Sequence, residues 1–265
     1  MKACSMSDTY IPAATILLLR EETSLEVLMV ERHADTPFAG GALVFPGGRI
    51  DPGDMLAAWT EHSIGLDVVP EDQKAPRIAA IREAFEETGI LLARRDGEMV
   101  GNDVSAGLAE WRDIIENDDA QFLEMVRRER LSLAVDALHL YSRWRPPENV
   151  THRRYDTWFF AARVPEGQFA KADGGEALEI VWTTPADAIK SRDKGERKMI
   201  YPTSRNVELL GVSDTIEDVF SFAASRKIEP VVPFLQEHDG ETLLAIPKNL
   251  GYPVTEESLD TAFRS

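Results

Sequence analysis

Apolar and polar positions alternate along some stretches of the chain and recur every three to four residues along others. Residues 15–20 and 25–31 have the aliphatic, β-branched composition of strands and are joined by the polar turn Glu21-Glu22-Thr23-Ser24. Residues 42–45 form a third short apolar run that ends at Pro46-Gly47-Gly48, and 48–53 carry Gly, Pro and Asp at turn positions. Residues 55–62 read as a helix with Asp54 as its N-cap, and 67–76, polar and holding two prolines, as a connector. Residues 77–88 then form a helix that Gly89 ends as a C′ residue. Helices are expected at 104–116 and 120–130, strands at 138–144, 157–164 and 178–183, and a helix at 185–191 led by Pro185. Residues 203–210 and 214–224 follow as helices and 243–246 as a late strand. Strands interspersed with helices predict an α/β (α+β) sandwich. With no internal repeat and no clear linker, we expect a single domain over 1–265 with a mainly helical C-terminal extension at 195–265.

Composition narrows the function more than the fold. At 265 residues, 43% hydrophobic and 28% charged, the chain can bury a proper core. A formal charge of −17 argues against general nucleic-acid binding, which needs a basic surface. An anionic substrate would have to meet a local positive patch or a bound cation. Cys4, the only cysteine, excludes an intramolecular disulfide and a multi-cysteine zinc site. The apolar run 11–19 is too short to span a bilayer, follows Asp8 and precedes no cleavage site, so it reads as a buried strand. A cytoplasmic protein with no membrane partner is expected, since the chain ends in Phe263-Arg264-Ser265 rather than a peroxisomal signal. Apolar surface in the C-terminal extension would allow a homodimer.

The helix at 77–88 concentrates charge on one side. With Glu83 at zero and about 100° per residue, Glu86 falls near −60° and Glu87 near +40°, whereas Ile81, Phe85 and Ile78 lie opposite. Such a face is either a solvated acidic surface or a site for a hard divalent cation, Mg²⁺ or Mn²⁺. Like charges at these spacings repel by a few tenths of a kcal/mol per pair, which a cation would reverse. Arg82 is placed to fix one of the carboxylates by a bidentate pair.

The neighbouring residues decide between the two. Gly48-Arg49-Ile50-Asp51-Pro52-Gly53-Asp54, followed by Arg82-Glu83-Ala84-Phe85-Glu86-Glu87-Thr88-Gly89-Ile90, resembles the Nudix box. That pattern is a glycine, five residues, an acid, seven residues, then Arg-Glu-apolar-x-Glu-Glu-x-Gly-apolar. Asp54 stands where the family has Glu, and 27 residues rather than seven separate it from Arg82, placing an insertion at 55–76. A long excursion between loop and helix adds little closure entropy. An interrupted box of this kind resembles the branch of coenzyme A diphosphatases that includes the peroxisomal mammalian enzymes. So do the run from Arg143-Trp144-Arg145-Pro146 to Tyr155-Asp156-Thr157-Trp158-Phe159-Phe160 and the late Pro233 and Gly251-Tyr252-Pro253.

The resemblance implies a Nudix-type α/β/α sandwich with a mixed sheet and the hydrolysis of a diphosphate joined to a nucleoside. It implies that Glu83, Glu86 and Glu87, with the Gly48 carbonyl, hold Mg²⁺ or Mn²⁺ and that Arg82 orients a glutamate. The base varies in the family: Asp54 is one candidate, and Glu176 and Glu179, just before the strand ending at Trp182, are others. Phosphate contacts are sought from Arg32, Arg143, Arg145 and Arg154. Residues 143–154 hold Arg143, Arg145, Arg153 and Arg154 against Glu148, a local surplus in an acidic chain. Trp144 and Trp158 are either stacking platforms or core. Arg32, Gly41 and Phe45-Pro46-Gly47-Gly48 fit part of the coenzyme A signature, but His33 and Pro37 replace its second Arg and its Ser. Coenzyme A or an acyl-CoA is the first substrate expected. Dinucleotides, nucleotide sugars (NADH, ADP-ribose) and a non-catalytic nucleotide sensor are the alternatives.

Overall fold

The computed structural model describes residues 10–33, 39–147, 154–174 and 177–262. Cys4, Pro37, Glu148, Arg153 and Glu176 lie outside them. The chain opens with β1 (Ile11–Glu21), β2 (Leu25–Arg32), β3 (Leu43–Val44) and β4 (Gly47–Arg49). Two 3₁₀ turns, Pro52–Met55 and Ala57–Glu61, lead through β5 (Ser63–Ile64) and a third turn, Leu66–Val68, to α1 (Glu71–Thr88). Then come β6 (Ala93–Arg95), β7 (Glu98–Met99), α2 (Asn102–Gly107), α3 (Glu110–Asn117), α4 (Ala120–Arg128) and β8 (Ser132–Ala134). Next are β9 (His139–Trp144), β10 (Tyr155–Arg163), β11 (Ala177–Thr183), α5 (Pro185–Asp193), α6 (Tyr201–Leu210) and α7 (Ile216–Ala224). Last are β12 (Pro230–Val231), β13 (Phe234–His238), β14 (Glu241–Ala245), β15 (Glu256–Ser258) and α8 (Leu259–Ala262).

The main sheet is mixed, in the order β11-β2-β1-β10-β9-β12, with β3 added to β2 and β4 to β1. Its centre is the parallel pair β1 and β10, in register from Ile11 with Tyr155 to Leu19 with Arg163. Because side chains alternate along β1, Ala14, Ile16 and Leu18 pack with Ile78, Ile81 and Phe85 of α1. Leu17 and Leu19 face the other way, onto Val207 and Leu210 of α6 and Val219 of α7. Helices on both faces of a mixed sheet make the expected α/β/α sandwich. Among the described residues no helix is long and apolar enough to cross a membrane.

Several local expectations need correction. The connector at 67–76 is in part helix, because α1 starts at Glu71 and carries Pro76 inside it. The hydrogen bond that Pro76 cannot make belongs to the carbonyl of Asp72, in the exposed first turn, where water can take it. Asp54 caps no helix over 55–62. Those residues fall mostly in a 3₁₀ turn, and Asp54 instead accepts from the Asp51 N–H at 2.9 Å. Gly48 and Arg49 belong to β4 rather than a loop. The helix at 104–116 is two helices, parted beside Gly107, whose backbone freedom disfavours helix. The C-terminal extension carries the expected helices α6 and α7 and a short α8, and besides them β13, β14 and β15 form an antiparallel sheet. Gly89, at φ 73°, ends α1 as read, donating its N–H to the Phe85 carbonyl at 2.9 Å.

Candidate active site

The charged face of α1 is not solvated. Arg82 is 2% exposed, Glu83 8% and Glu87 5%, and burial on that scale requires that every charge be paired. Arg82 is the hub. Its Nε and Nη2 donate to the two oxygens of Asp54, both at 2.9 Å, and Nη2 also reaches the Arg49 carbonyl at 2.8 Å. Nη1 donates to Oε1 of Glu83 and Oε1 of Glu86, each at 3.0 Å. A planar fork with five donors is the side chain that can do this; an ammonium is not. Burial works against the Arg82 charge, but Asp54, Glu83 and Glu86 overcome it and raise its pKa.

The carboxylates feel the opposite pressure. Burial is the largest influence on Glu83 and Glu86; Arg82 opposes it, and neighbouring acids add to it. Glu83 is pushed up to about 8 and Glu86 to about 7. Strand β4 lies against β1, with Gly48 opposite Ala14, and brings the Gly48 backbone onto the Glu83 carboxylate. A methyl group at 48 would overlap that carboxylate and force Glu83 to move. Glu87 accepts from the Gly47 N–H at 3.3 Å and pairs with Arg32 at 3.7 Å.

All three glutamates line a cleft of about 1480 Å³ that also meets Arg32, Gly48, Arg145, Glu116 and Asp173. Among the described residues no three acidic, His or Cys groups already converge as a metal cage. The donor set nevertheless fits a hard divalent ion: buried carboxylates crowded together with raised pKa values, beside a backbone held close by a glycine. Arg82 takes one oxygen each of Glu83 and Glu86, leaving the second oxygen of each for another cation.

Other expected site residues are placed differently. Arg143 grips Asp156 with Nε at 2.8 Å and Nη2 at 2.7 Å, and Arg145 donates to the same carboxylate at 2.7 Å. Burial acts to raise the Asp156 pKa, yet these two arginines hold it below its ordinary value. The local cationic surplus is therefore partly neutralised from just beyond the stretch in which it was counted. Arg145 lines the cleft, but Arg143 lies over Trp158 at 3.8 Å and Arg154 over Tyr10 at 4.4 Å, and neither lines it. Trp144 is 3% exposed, with its indole N–H donating to the Tyr252 hydroxyl at 3.0 Å. Asp54 is buried behind Arg82 and does not line the cleft. Glu179 does not either, and pairs with Arg197 at 3.0 Å. Three cleft acids, Glu116 on α3, Asp119 just before α4 and Asp173 before β11, were missed. None of them stands in a pattern that a sequence alone would flag.

A sandwich whose central helix presents Arg-Glu-x-x-Glu-Glu to a glycine strand defines the Nudix class. The chain matches the NUDT19 Nudix domain over residues 60–208 and the general NUDIX domain over 9–105, and it belongs to this family. It is 28% identical over 247 residues to the acyl-coenzyme A diphosphatase NUDT19 of Xenopus laevis, covering 77% of this chain and 64% of that one. The same protein of Homo sapiens is 29% identical over 243 residues, covering 77% and 65%. The chain thus spans just under two thirds of the length of these relatives. A NUDIX hydrolase crystal structure from Alicyclobacillus acidocaldarius superposes with a TM-score of 0.66 at 25% identity, covering 82% of this chain and 97% of that one.

Proposed function

We propose that this chain is a divalent-metal-dependent hydrolase of the diphosphate in a nucleoside diphosphate derivative, with coenzyme A or an acyl-coenzyme A as substrate. One observation carries the reading: carboxylates and apolar side chains line a single cleft. Glu83, Glu86 and Glu87 line it together with Met199, Phe234, Leu235 and Leu244. The cleft exceeds the roughly 300–1,000 Å³ usual for small-ligand sites. A diphosphate that carries a nucleoside on one side and a long aliphatic arm on the other suits both its size and its mixed lining. The names of the relatives from Xenopus and human point the same way.

Glu83, Glu86, Glu87 and the Gly48 carbonyl would hold Mg²⁺ or Mn²⁺, whose chemistry is to offset phosphoryl charge and make a water more acidic. Arg82, which also lines the cleft, fixes the direction of Glu83 and Glu86. Arg32, Arg49 and Arg145 line the cleft and would meet phosphate oxygens there. Glu116 and Asp173 replace Glu179 as candidates to take the proton of the attacking water.

The test is a panel of coenzyme A, acyl-coenzyme A of increasing length, NADH and ADP-ribose, with Mg²⁺, Mn²⁺ or chelator. Metal-dependent cleavage of coenzyme A is expected, with kcat/KM rising by up to about fourfold per added methylene over the first few. Faster turnover of NADH or ADP-ribose would overturn the substrate assignment. Thermal stabilisation by these ligands without any turnover would replace the enzyme with a sensor.

The raised carboxylates add a pH prediction. Above the ordinary glutamate value of 4.5, up to about 8 for Glu83 and about 7 for Glu86, the native chain holds protons that the unfolded chain releases. In chelator these two groups therefore make stability fall as pH rises through that window. Melting curves at pH 5 to 8 are expected to show Mn²⁺ adding more stability at pH 8 than at pH 5. An equal metal effect at both ends would count against these ligands.

A further inference from the structure

Asp54 and Arg82 meet at 2.9 Å although the interrupted box puts a long excursion between them. Gly53, the neighbour of Asp54, is held on both its backbone groups by residues outside the box segments. Its N–H donates to the Asp119 carboxylate, at the turn between α3 and α4, and its carbonyl accepts the Trp59 indole N–H at 2.8 Å. Trp59 belongs to the excursion itself, is 1% exposed and meets Phe122 of α4 at 5.4 Å between ring centroids. The fit is close, since a methyl at 53 would lie 2.7 Å from the backbone oxygen of Asp119. The excursion is also tied down further on, by β5 pairing with β8 and by the Leu133 N–H on the His62 carbonyl at 2.8 Å.

We propose that Asp119 and Trp59 are positioning residues, which with α4 and the box excursion form a brace that sets Gly53. Through Gly53 the brace sets the Asp54–Arg82 pair, and through Arg82 the directions of Glu83 and Glu86. The interruption of the box is then not a passive loop. It supplies one of the two hydrogen bonds that replace the short connection, and the α3–α4 turn supplies the other. The link from Glu83 and Glu86 to a bound metal rests on the function proposed above, whereas the link from Asp119 to Arg82 does not.

The variants are Asp119→Ala, Asp119→Asn and Trp59→Phe in the full chain, with folding checked by thermal melts. Asn keeps an oxygen that can accept from Gly53; Phe keeps the ring and loses the donor. The first readout is water exchange of the Arg82 guanidinium N–H groups by ¹⁵N NMR without metal. Exchange is expected to quicken at least about tenfold in Asp119→Ala and Trp59→Phe, and to stay within about threefold of the parent in Asp119→Asn. The second is Mn²⁺ affinity by calorimetry without substrate. It should weaken about 10- to 100-fold in the same two variants and recover in Asn, as when groups that orient metal ligands are removed. Unchanged Arg82 exchange in folded Asp119→Ala would overturn the brace. A loss in Asn equal to that in Ala would overturn it too, because Asp119 would then act through its charge. A parent chain that binds no Mn²⁺ would sink the proposed function, and the exchange measurement would still decide the brace.

Discussion

Glu86→Gln is expected to lower kcat/KM for metal-dependent diphosphate cleavage by about 10²- to 10³-fold, roughly 3–4 kcal/mol of transition-state stabilisation. The substitution keeps the length of the side chain and an oxygen that can still accept from Arg82 Nη1, so the hub survives. What it removes is a negative charge in a buried cluster where burial already disfavours charge. Stability in chelator is therefore expected to hold or rise, while Mn²⁺ affinity and rate fall together. Glu83→Gln should behave alike, for Glu83 shares the same guanidinium nitrogen. Steady-state kinetics with melts in chelator and in Mn²⁺ check both sides of this. Retention of activity within about threefold would remove these glutamates from the proposed metal site, and a collapse of stability in chelator would make their role structural.

Much of this site was legible from local pattern, and what escaped was decided by distant partners. The strands β1, β2, β9, β10 and β11 and the second half of α1 each carry enough apolar periodicity to be read alone. The spacing of Glu83, Glu86 and Glu87 then put three carboxylates on one face before any neighbour was known. The first turns of α1 escaped because Pro76 reads as a breaker, although its missing bond falls where water can replace it. The sheet of β5, β6, β7 and β8 escaped because strands of two or three residues show no alternation to detect, and of the sheet β13-β14-β15 only β14 was legible, as the strand at 243–246. Arg143 passed for a phosphate ligand because its partner Asp156 sits on the next strand, set opposite by the pairing of β9 with β10. Asp54 was read as a cap because Ser, Thr, Asp and Asn before a helix usually are. Its actual partner is Arg82, brought in by α1 from beyond the insertion.

That pair carries the largest stability effect to be expected. In Arg82→Lys one ammonium with three donors must replace a fork that binds Asp54 twice and also reaches Arg49, Glu83 and Glu86. Three donors cannot serve five acceptors, so at least two of these buried hydrogen bonds would be lost, although Oδ2 of Asp54 keeps the Asp51 N–H. A hydrogen bond to a charged group is worth about 1.5–3 kcal/mol, so losing two destabilises by about 3–5 kcal/mol. For a chain of this size that is a fall in melting temperature of roughly 6–20 °C. Asp54→Asn alone should also destabilise, because its amide NH2 would face an Arg82 donor in place of one accepting oxygen. Combined with Arg82→Lys it removes the charge that the lysine leaves poorly paired, so the double variant should melt above the sum of the two losses. A coupling of at least about 1 kcal/mol in that cycle is expected, since contacting residues of one network seldom act independently. Strict additivity would mean that Arg82 stabilises the chain through Glu83 and Glu86 alone. The brace at Gly53 would then be holding a residue that the hub does not use.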